Sequence, residues 1–292
     1  MKSISIGTCI PGTAFEQWAP AFMDKGFERF SINFHMQFGG VDLEQLADKV
    51  HSLLDGREIH ISSLGYYCNA LLFDEHRQGL ERCIDLAHRF GTNVVSTFAG
   101  CLTGQSVDAS MPRFRDVFGE LARRAEDRGV RIAIENCPMG GTWQHTTDNI
   151  GFNSKAWEMM FNEVPSTALG LEWEPAHQIH QIVDPIANLR KWVSRIVHVH
   201  GKDATVNLDI LHEQGIHSVD DFVDSRFPGL GQTDWRQVFT ILQKAGFDGT
   251  VSIEGYHDPL FTGEWEMTGQ IHALNYLKWC RGGSFTANAW QA

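Results

Sequence analysis

The 292-residue sequence has six cysteines but no CxxC pair and no tight cysteine spacing. It therefore signals neither a zinc knuckle nor a disulfide framework, and the thiols are expected to be reduced. No apolar stretch is long enough to span a bilayer, and the apolar run in the opening MKSISIGTCIPG is too short and too interrupted for a signal peptide. A cytoplasmic protein without a membrane partner is expected. Basic residues are scarce: 24 Lys and Arg stand against 36 Asp and Glu, a formal charge of −12. Binding to nucleic acid draws on Lys and Arg that displace counterions, so such a partner is not expected. A small molecule, neutral or bridged by a metal, fits this charge better. The glycines of PGLGQTDWRQVF lack the Gly-Lys-Ser/Thr ending of a phosphate loop. They read as a turn into a helix capped by Asp234, with Gln237 three residues on. No basic cluster appears in the last two loops, where barrels often bind phosphate, so phosphorylated substrates are disfavoured.

What is present is enough for a large core: 42% of residues are hydrophobic and 21% charged. Short β-rich runs begin at residues 3, 29, 58, 93, 131, 167, 196 and 250, with amphipathic segments between them. Alternating strand and helix implies a parallel sheet, and eight such units imply closure. The expected fold is α/β, a (β/α)8 TIM barrel forming one domain over residues 1–292, with 282–292 as a flexible C-terminal tail. The segments ERCIDLAHRFG and FGELARRAEDRGV each end in a glycine placed to cap a helix.

Parity along the last four strands sorts their faces. Ile132, Ile134, Leu169, Leu171, Val197, Val199, Val251 and Ile253 share one side, which should face the helices. Ala133, Gly170, His198 and Ser252 share the other, and that side ends in Glu135, Glu172, Glu174, His200 and Glu254. Each acid or imidazole thus falls at a C-terminal strand end, where barrel enzymes place their chemistry. Neighbouring strands lie roughly 4.8 Å apart, so Glu135, Glu174, His200 and Glu254 can converge on one point. A lone strand-end glutamate is most often solvated or ion-paired. Several crowded together repel unless a cation compensates, and only Lys202 lies near. Three carboxylates and one imidazole suit Mn²⁺ or Mg²⁺, with Zn²⁺ or Co²⁺ also compatible. Glu172 either replaces Glu174 in this set or sits one layer deeper, bonded to His198.

His177, three beyond Glu174, is placed to orient a ligand or a substrate hydroxyl. His180 reads as a surface or supporting residue. Lys202 points toward the mouth, to polarise a substrate oxygen or to pair with a neighbouring acid. Cys9, Cys68, Cys101 and Cys137 fall at or after strand ends, as a thiol-lined mouth or, more simply, as small buried side chains. The connections after strands five and seven are longer than a turn requires, which suits lids. Among the aromatics near strand ends (Phe34, Tyr66, Tyr67, Phe98, Trp143, Tyr256), Tyr66 and Trp143 are expected to help bind substrate.

The motifs IENCPM, EPAHQIHQIVD, HVHGKDA, GLGQTDW and SIEGYH stand in this order at the ends of strands five to eight. Together they resemble the xylose isomerase-like barrel superfamily of sugar isomerases and epimerases, which includes ketose 3-epimerases, inosose dehydratases and endonuclease IV. The resemblance runs over essentially the whole chain. It implies metal ligands at Glu135, Glu174, His200 and Glu254, and a substrate-contacting role for His177. It also implies an acid/base pair, Glu135 and Glu254, on either face of a keto-sugar carbon. The implied activity is isomerisation or epimerisation of a ketose or keto-sugar through a metal-stabilised enediolate. The alternative is a lyase acting on an inosose or keto-glycoside through the same intermediate. A repair endonuclease or a non-catalytic sugar-binding barrel ranks below both. One departure is visible: Glu174-Pro175-Ala176-His177 replaces the Asp-Pro-Ser-His common in relatives, which bears on the choice between Glu172 and Glu174. The implied partner is a sugar or cyclitol, and the oligomeric state, a homo-oligomer included, is left open.

Overall fold

The computed structural model describes residues 4–282, so the expected tail lies, from residue 283 on, outside the described residues. The strands are β1 (Ser5–Pro11), β2 (Arg29–His35), β3 (His60–Tyr67), β4 (Val94–Thr97), β5 (Arg131–Glu135), β6 (Leu169–Trp173), β7 (Ile196–Gly201), β8 (Asp203–Val206), β9 (Val223–Arg226) and β10 (Thr250–Ile253). Eight of them, all but β8 and β9, close into a barrel in the order β1-β10-β7-β6-β5-β4-β3-β2, with parallel pairing. Helices fill the connections, as the alternating pattern requires. The glycines expected as caps hold left-handed φ angles of 75° at Gly91 and 63° at Gly129.

The two sides of the last four strands divide as parity predicts except at Val197, which packs against the axial side of Gly170 and not in the layer facing the helices. Ile132, Ile134, Leu169, Leu171, Val199, Val251 and Ile253 are buried in the layer between sheet and helices. The axis holds small and polar groups, including a Ser31–Ser63 hydroxyl pair 2.6 Å apart and His198, 3.0 Å from the Ser252 hydroxyl.

A bulge sets the phase of the axial side. Leu171 pairs with Ile196, but the next residue, Glu172, pairs with His198, so β7 carries one extra residue. That slip turns Glu172 and His198 to the same face. It presses Val197 onto β6, where a Cβ on Gly170 would lie 2.3 Å from the Val197 methyl, so the position admits only glycine.

The long connection after β7 is not one loop. β8 and β9 form an antiparallel ribbon flanking the helix Leu208–Gln214. Buried Asp203 explains the neighbouring GLGQTDW motif: its carboxylate accepts bonds from the Thr233 amide and the Trp235 indole, clamping that segment to the end of β7. Asp234 then caps the helix Trp235–Lys244 through the amides of Arg236 and Gln237. Among the described residues no helix is long and apolar enough to cross a membrane.

Candidate metal centre and substrate cavity

Glu135 ends β5, His200 lies near the end of β7, and Glu254 follows β10 with its amide bonded to the Gly201 carbonyl. Glu174 follows β6 as the residue preceding the helix Pro175–His180. Its backbone is fixed by Asn136: the Glu174 amide donates to Asn136 Oδ1 at 2.7 Å, and Asn136 Nδ2 donates to the Glu174 carbonyl at 2.9 Å.

These four side chains meet. One ligand atom from each lies within 4.8 Å of all the others. His200 Nδ1 is 2.9 Å from Glu135 Oε1, 3.2 Å from Glu254 Oε2 and 3.4 Å from Glu174 Oε2. Ligands bonded at 2.0–2.2 Å to one ion sit about 3.0–3.5 Å from each other, so these spacings match the edges of a coordination shell. Ion pairing between His200 and the carboxylates is the competing explanation, and it leaves several of these atoms without a well-formed hydrogen bond. His200 Nδ1, both Glu174 oxygens and Glu254 Oε2 are buried without a hydrogen-bond partner. They belong to the one cluster of four ligand atoms. Buried polar atoms rarely go unpaired, so a divalent cation fits the donor set.

Glu172 lies one layer deeper and is saturated. It accepts from the Tyr67 hydroxyl at 2.8 Å and the Ser96 hydroxyl at 2.7 Å, and His198 Nδ1 lies at 2.7 Å. His200 Nε2 faces the same carboxylate at 3.3 Å, which leaves Nδ1 directed outward. Burial alone would raise the Glu172 pKa. The adjacent His200 and the His198 and Ser96 bonds outweigh it and keep the carboxyl below its usual range.

The carboxyls of the centre are driven apart. Burial pushes Glu135 up to about 7 despite its contact with His200. Burial, reinforced by Glu254, raises Glu174 well above the usual range. At Glu254 the burial penalty is overcome by the Lys202 ammonium, which holds the carboxyl well down. Lys202 Nζ donates to Glu254 Oε1 at 3.1 Å and lies 3.5 Å from His257 Nδ1, so its partner is Glu254.

Above the centre opens a cavity of about 740 Å³. His177 and Lys202 line it, with Phe34, Tyr67, Phe98 and Tyr256 as aromatic walls. Burial and then Lys202 depress the His177 pKa well below its usual value, so its imidazole is neutral. Of the mouth cysteines, Cys9 and Cys137 reach the cavity, whereas Cys68 and Cys101 are buried elsewhere.

Two expected substrate contacts are not brought to this wall. Tyr66 points outward, stacked on Phe38 at 4.2 Å with its hydroxyl donating to the Met36 carbonyl. Tyr67 instead turns to the axis, where its hydroxyl reaches Glu172, so the aromatic at the site is Tyr67. Trp143 does not line the cavity, and its indole donates to Asp108. Conversely, His180 lies on the cavity wall, 3.3 Å from the Ser225 hydroxyl. Asn33, His35 and His257 also line the cavity and were not singled out from the sequence. Alternation in β2, which sends Ser31, Asn33 and His35 one way, carried that signal.

Comparison with known proteins agrees with this fold. The inosose dehydratase of Clostridium beijerinckii is 27% identical over 168 residues, 56% of this chain and 52% of that protein. The chain spans about half the length of the curated relatives it matches. A xylose isomerase domain protein from Planctomyces limnophilus superposes with a TM-score of 0.74 at 16% identity, over 96% of this chain and 98% of that one. The zinc-bound IolI protein superposes at 0.69 and 17% identity, over 96% and 100%. At such identities the likeness shows the fold. A family model for the xylose isomerase-like TIM barrel matches residues 23–278, and the chain belongs to that family.

Proposed function

We propose that this protein is a divalent-metal-dependent isomerase or epimerase that draws a proton from the carbon beside the carbonyl of a ketose or keto-sugar. The observation that carries this reading is the convergence of His200 Nδ1 with three carboxylates, several of whose buried atoms lack hydrogen-bond partners. Glu135, Glu174, His200 and Glu254 would hold the ion. When bound, it would polarise the substrate's carbonyl and neighbouring hydroxyl oxygens and so acidify the adjacent C–H.

The chain's own residues then divide the proton work. Glu135 and Glu254 are separated around the wall by β6 and β7, so a substrate lying between them meets one from each side. Glu254, held low by Lys202, takes a proton. Glu135, on the other side of the substrate, returns one to the opposite face of the carbon. His177, as a neutral imidazole, and Lys202, as an ammonium, hold substrate oxygens. Tyr67 and Phe98 supply the apolar wall. An oxygen-rich donor set favours Mn²⁺ or Mg²⁺, and the zinc in the IolI neighbour keeps Zn²⁺ in the candidate set. We place the activity in the cytoplasm, with a sugar or cyclitol as partner.

A lyase is the second reading, favoured by the inosose dehydratase relatives. The same proton removal would there be followed by loss of a β-substituent. One experiment separates the two. The Mn²⁺-loaded protein is incubated with ketoses, inososes and keto-glycosides in D₂O, and deuterium uptake and products are followed by NMR. Deuterium in an epimerised product supports the first reading, and an unsaturated or cleaved product the second. Absence of exchange with every candidate would overturn both.

A further inference from the structure

We propose that the barrel mouth takes a second divalent cation, of the zinc class, on Glu135, Cys137 and His177. The inference rests on the metal-centre reading above and extends it.

One ligand atom each from Glu135, Cys137 and His177 lies within 4.8 Å of the other two, beside the first centre and sharing Glu135 with it. The independent observation comes from Glu174. Both of its oxygens are buried without a hydrogen-bond partner. Oε2 faces His200 Nδ1 at 3.4 Å, whereas Oε1 faces His177 Nε2 at 3.2 Å. An ion at the first centre takes Oε2, and Oε1 is left turned toward His177, on the side of the second group.

The donors select the ion. The first set is three carboxylates and an imidazole, whereas this one adds a thiol to a carboxylate and an imidazole. Thiolate and imidazole favour Zn²⁺ or Co²⁺ over Mg²⁺. Tetrahedral ligands at 2.0–2.3 Å lie about 3.5 Å apart, so the observed spacing closes with side-chain shifts of about 1 Å. Met139, two residues beyond Cys137, holds a left-handed φ of 50°. Burial raises the Cys137 thiol, so the ion must displace its proton. Binding forms a sulfur–metal bond and releases the thiol proton to water, with no change of oxidation state.

Cobalt titration of the full chain tests this, with metal content and absorption recorded together. Two equivalents should bind, and the near-ultraviolet thiolate-to-cobalt charge-transfer band should rise with the second. Cys137→Ser should abolish the band and bind one equivalent, which also shows that the variant is folded. His177→Ala should lose the second equivalent, and Cys9→Ser, which alters the other cavity thiol, should keep the band. Saturation at one equivalent without the band, or a band that survives Cys137→Ser, overturns the second site and leaves the first standing. No cobalt binding at any ratio overturns both.

Discussion

Asn136 grips Glu174 by its backbone, accepting from its amide at 2.7 Å and donating to its carbonyl at 2.9 Å, with both residues buried. The asparagine of the IEN motif is thus a cross-strand clasp that sets the height of a carboxylate on the next strand. Asn136→Ala leaves two buried backbone groups without partners, at about 1–3 kcal/mol each. Urea unfolding should show a loss of roughly 2–4 kcal/mol, and calorimetry should show weaker binding of Mn²⁺. Unchanged metal affinity would mean that Glu174 is positioned by something else.

Glu172 is tied down by Tyr67, Ser96 and His198 and faces His200 Nε2. It acts as the carboxylate that orients a ligating imidazole and fixes which ring nitrogen looks outward. Loss of such a partner typically weakens metal binding about 10–100-fold. Glu172→Gln should therefore bind Mn²⁺ less tightly in a chelator competition while keeping the same stoichiometry. A drop in stoichiometry instead would make Glu172 a ligand itself.

Strand periodicity made much of this centre legible. Glu135, His200 and Glu254 each sit on the axial side of a strand whose other side is Ile or Val, so parity alone aims them inward. The choice between Glu172 and Glu174 was not legible, because both share that parity. Tertiary partners separate them: Tyr67 and Ser96, from β3 and β4, saturate Glu172 and leave Glu174 free to face the mouth. Tyr67, not Tyr66, lines the cavity, and a tyrosine pair at a strand end carries no mark of which ring points inward. The β8–β9 ribbon was missed because its strands are four residues each and bordered by Gly- and Asp-rich segments that resemble loop.

The Glu28–Arg281 pair joins the helix Glu266–Arg281 to the first strand region, with nitrogen–oxygen distances of 2.6 and 3.0 Å. Glu28 also accepts from the Ile6 amide at 2.7 Å. Burial opposes ionisation of Glu28, but the Arg281 and Ile6 bonds outweigh it and lower its pKa. A carboxyl depressed by folding stabilises above its unfolded pKa, about 4.3, and that stabilisation is lost as pH falls through the folded value. Wild type should therefore exceed Glu28→Gln in stability at neutral pH, and the gap should narrow below about pH 4. Urea midpoints across pH measure this directly. A gap independent of pH would show that packing, not charge, fastens the helix.

Metal removal should have the opposite pH signature. Without an ion, Glu174 and Glu135 are raised, chiefly by burial, the latter to about 7. A group whose pKa is raised by folding stabilises fully below its unfolded pKa, and that contribution fades as pH rises through the folded value. The metal-free protein should thus weaken from about pH 4.3 upward through 7. Bound metal requires these carboxylates deprotonated, so its affinity climbs over the same range. The Tm difference between Mn²⁺-loaded and EDTA-treated protein should accordingly widen between about pH 5.5 and 7.5. At 100 times the Kd, saturation contributes about 2.7 kcal/mol, or roughly 5 °C for a chain of this size. Differential scanning fluorimetry with both preparations reads the two curves side by side. A constant difference across that range would place the bound ion away from Glu135 and Glu174.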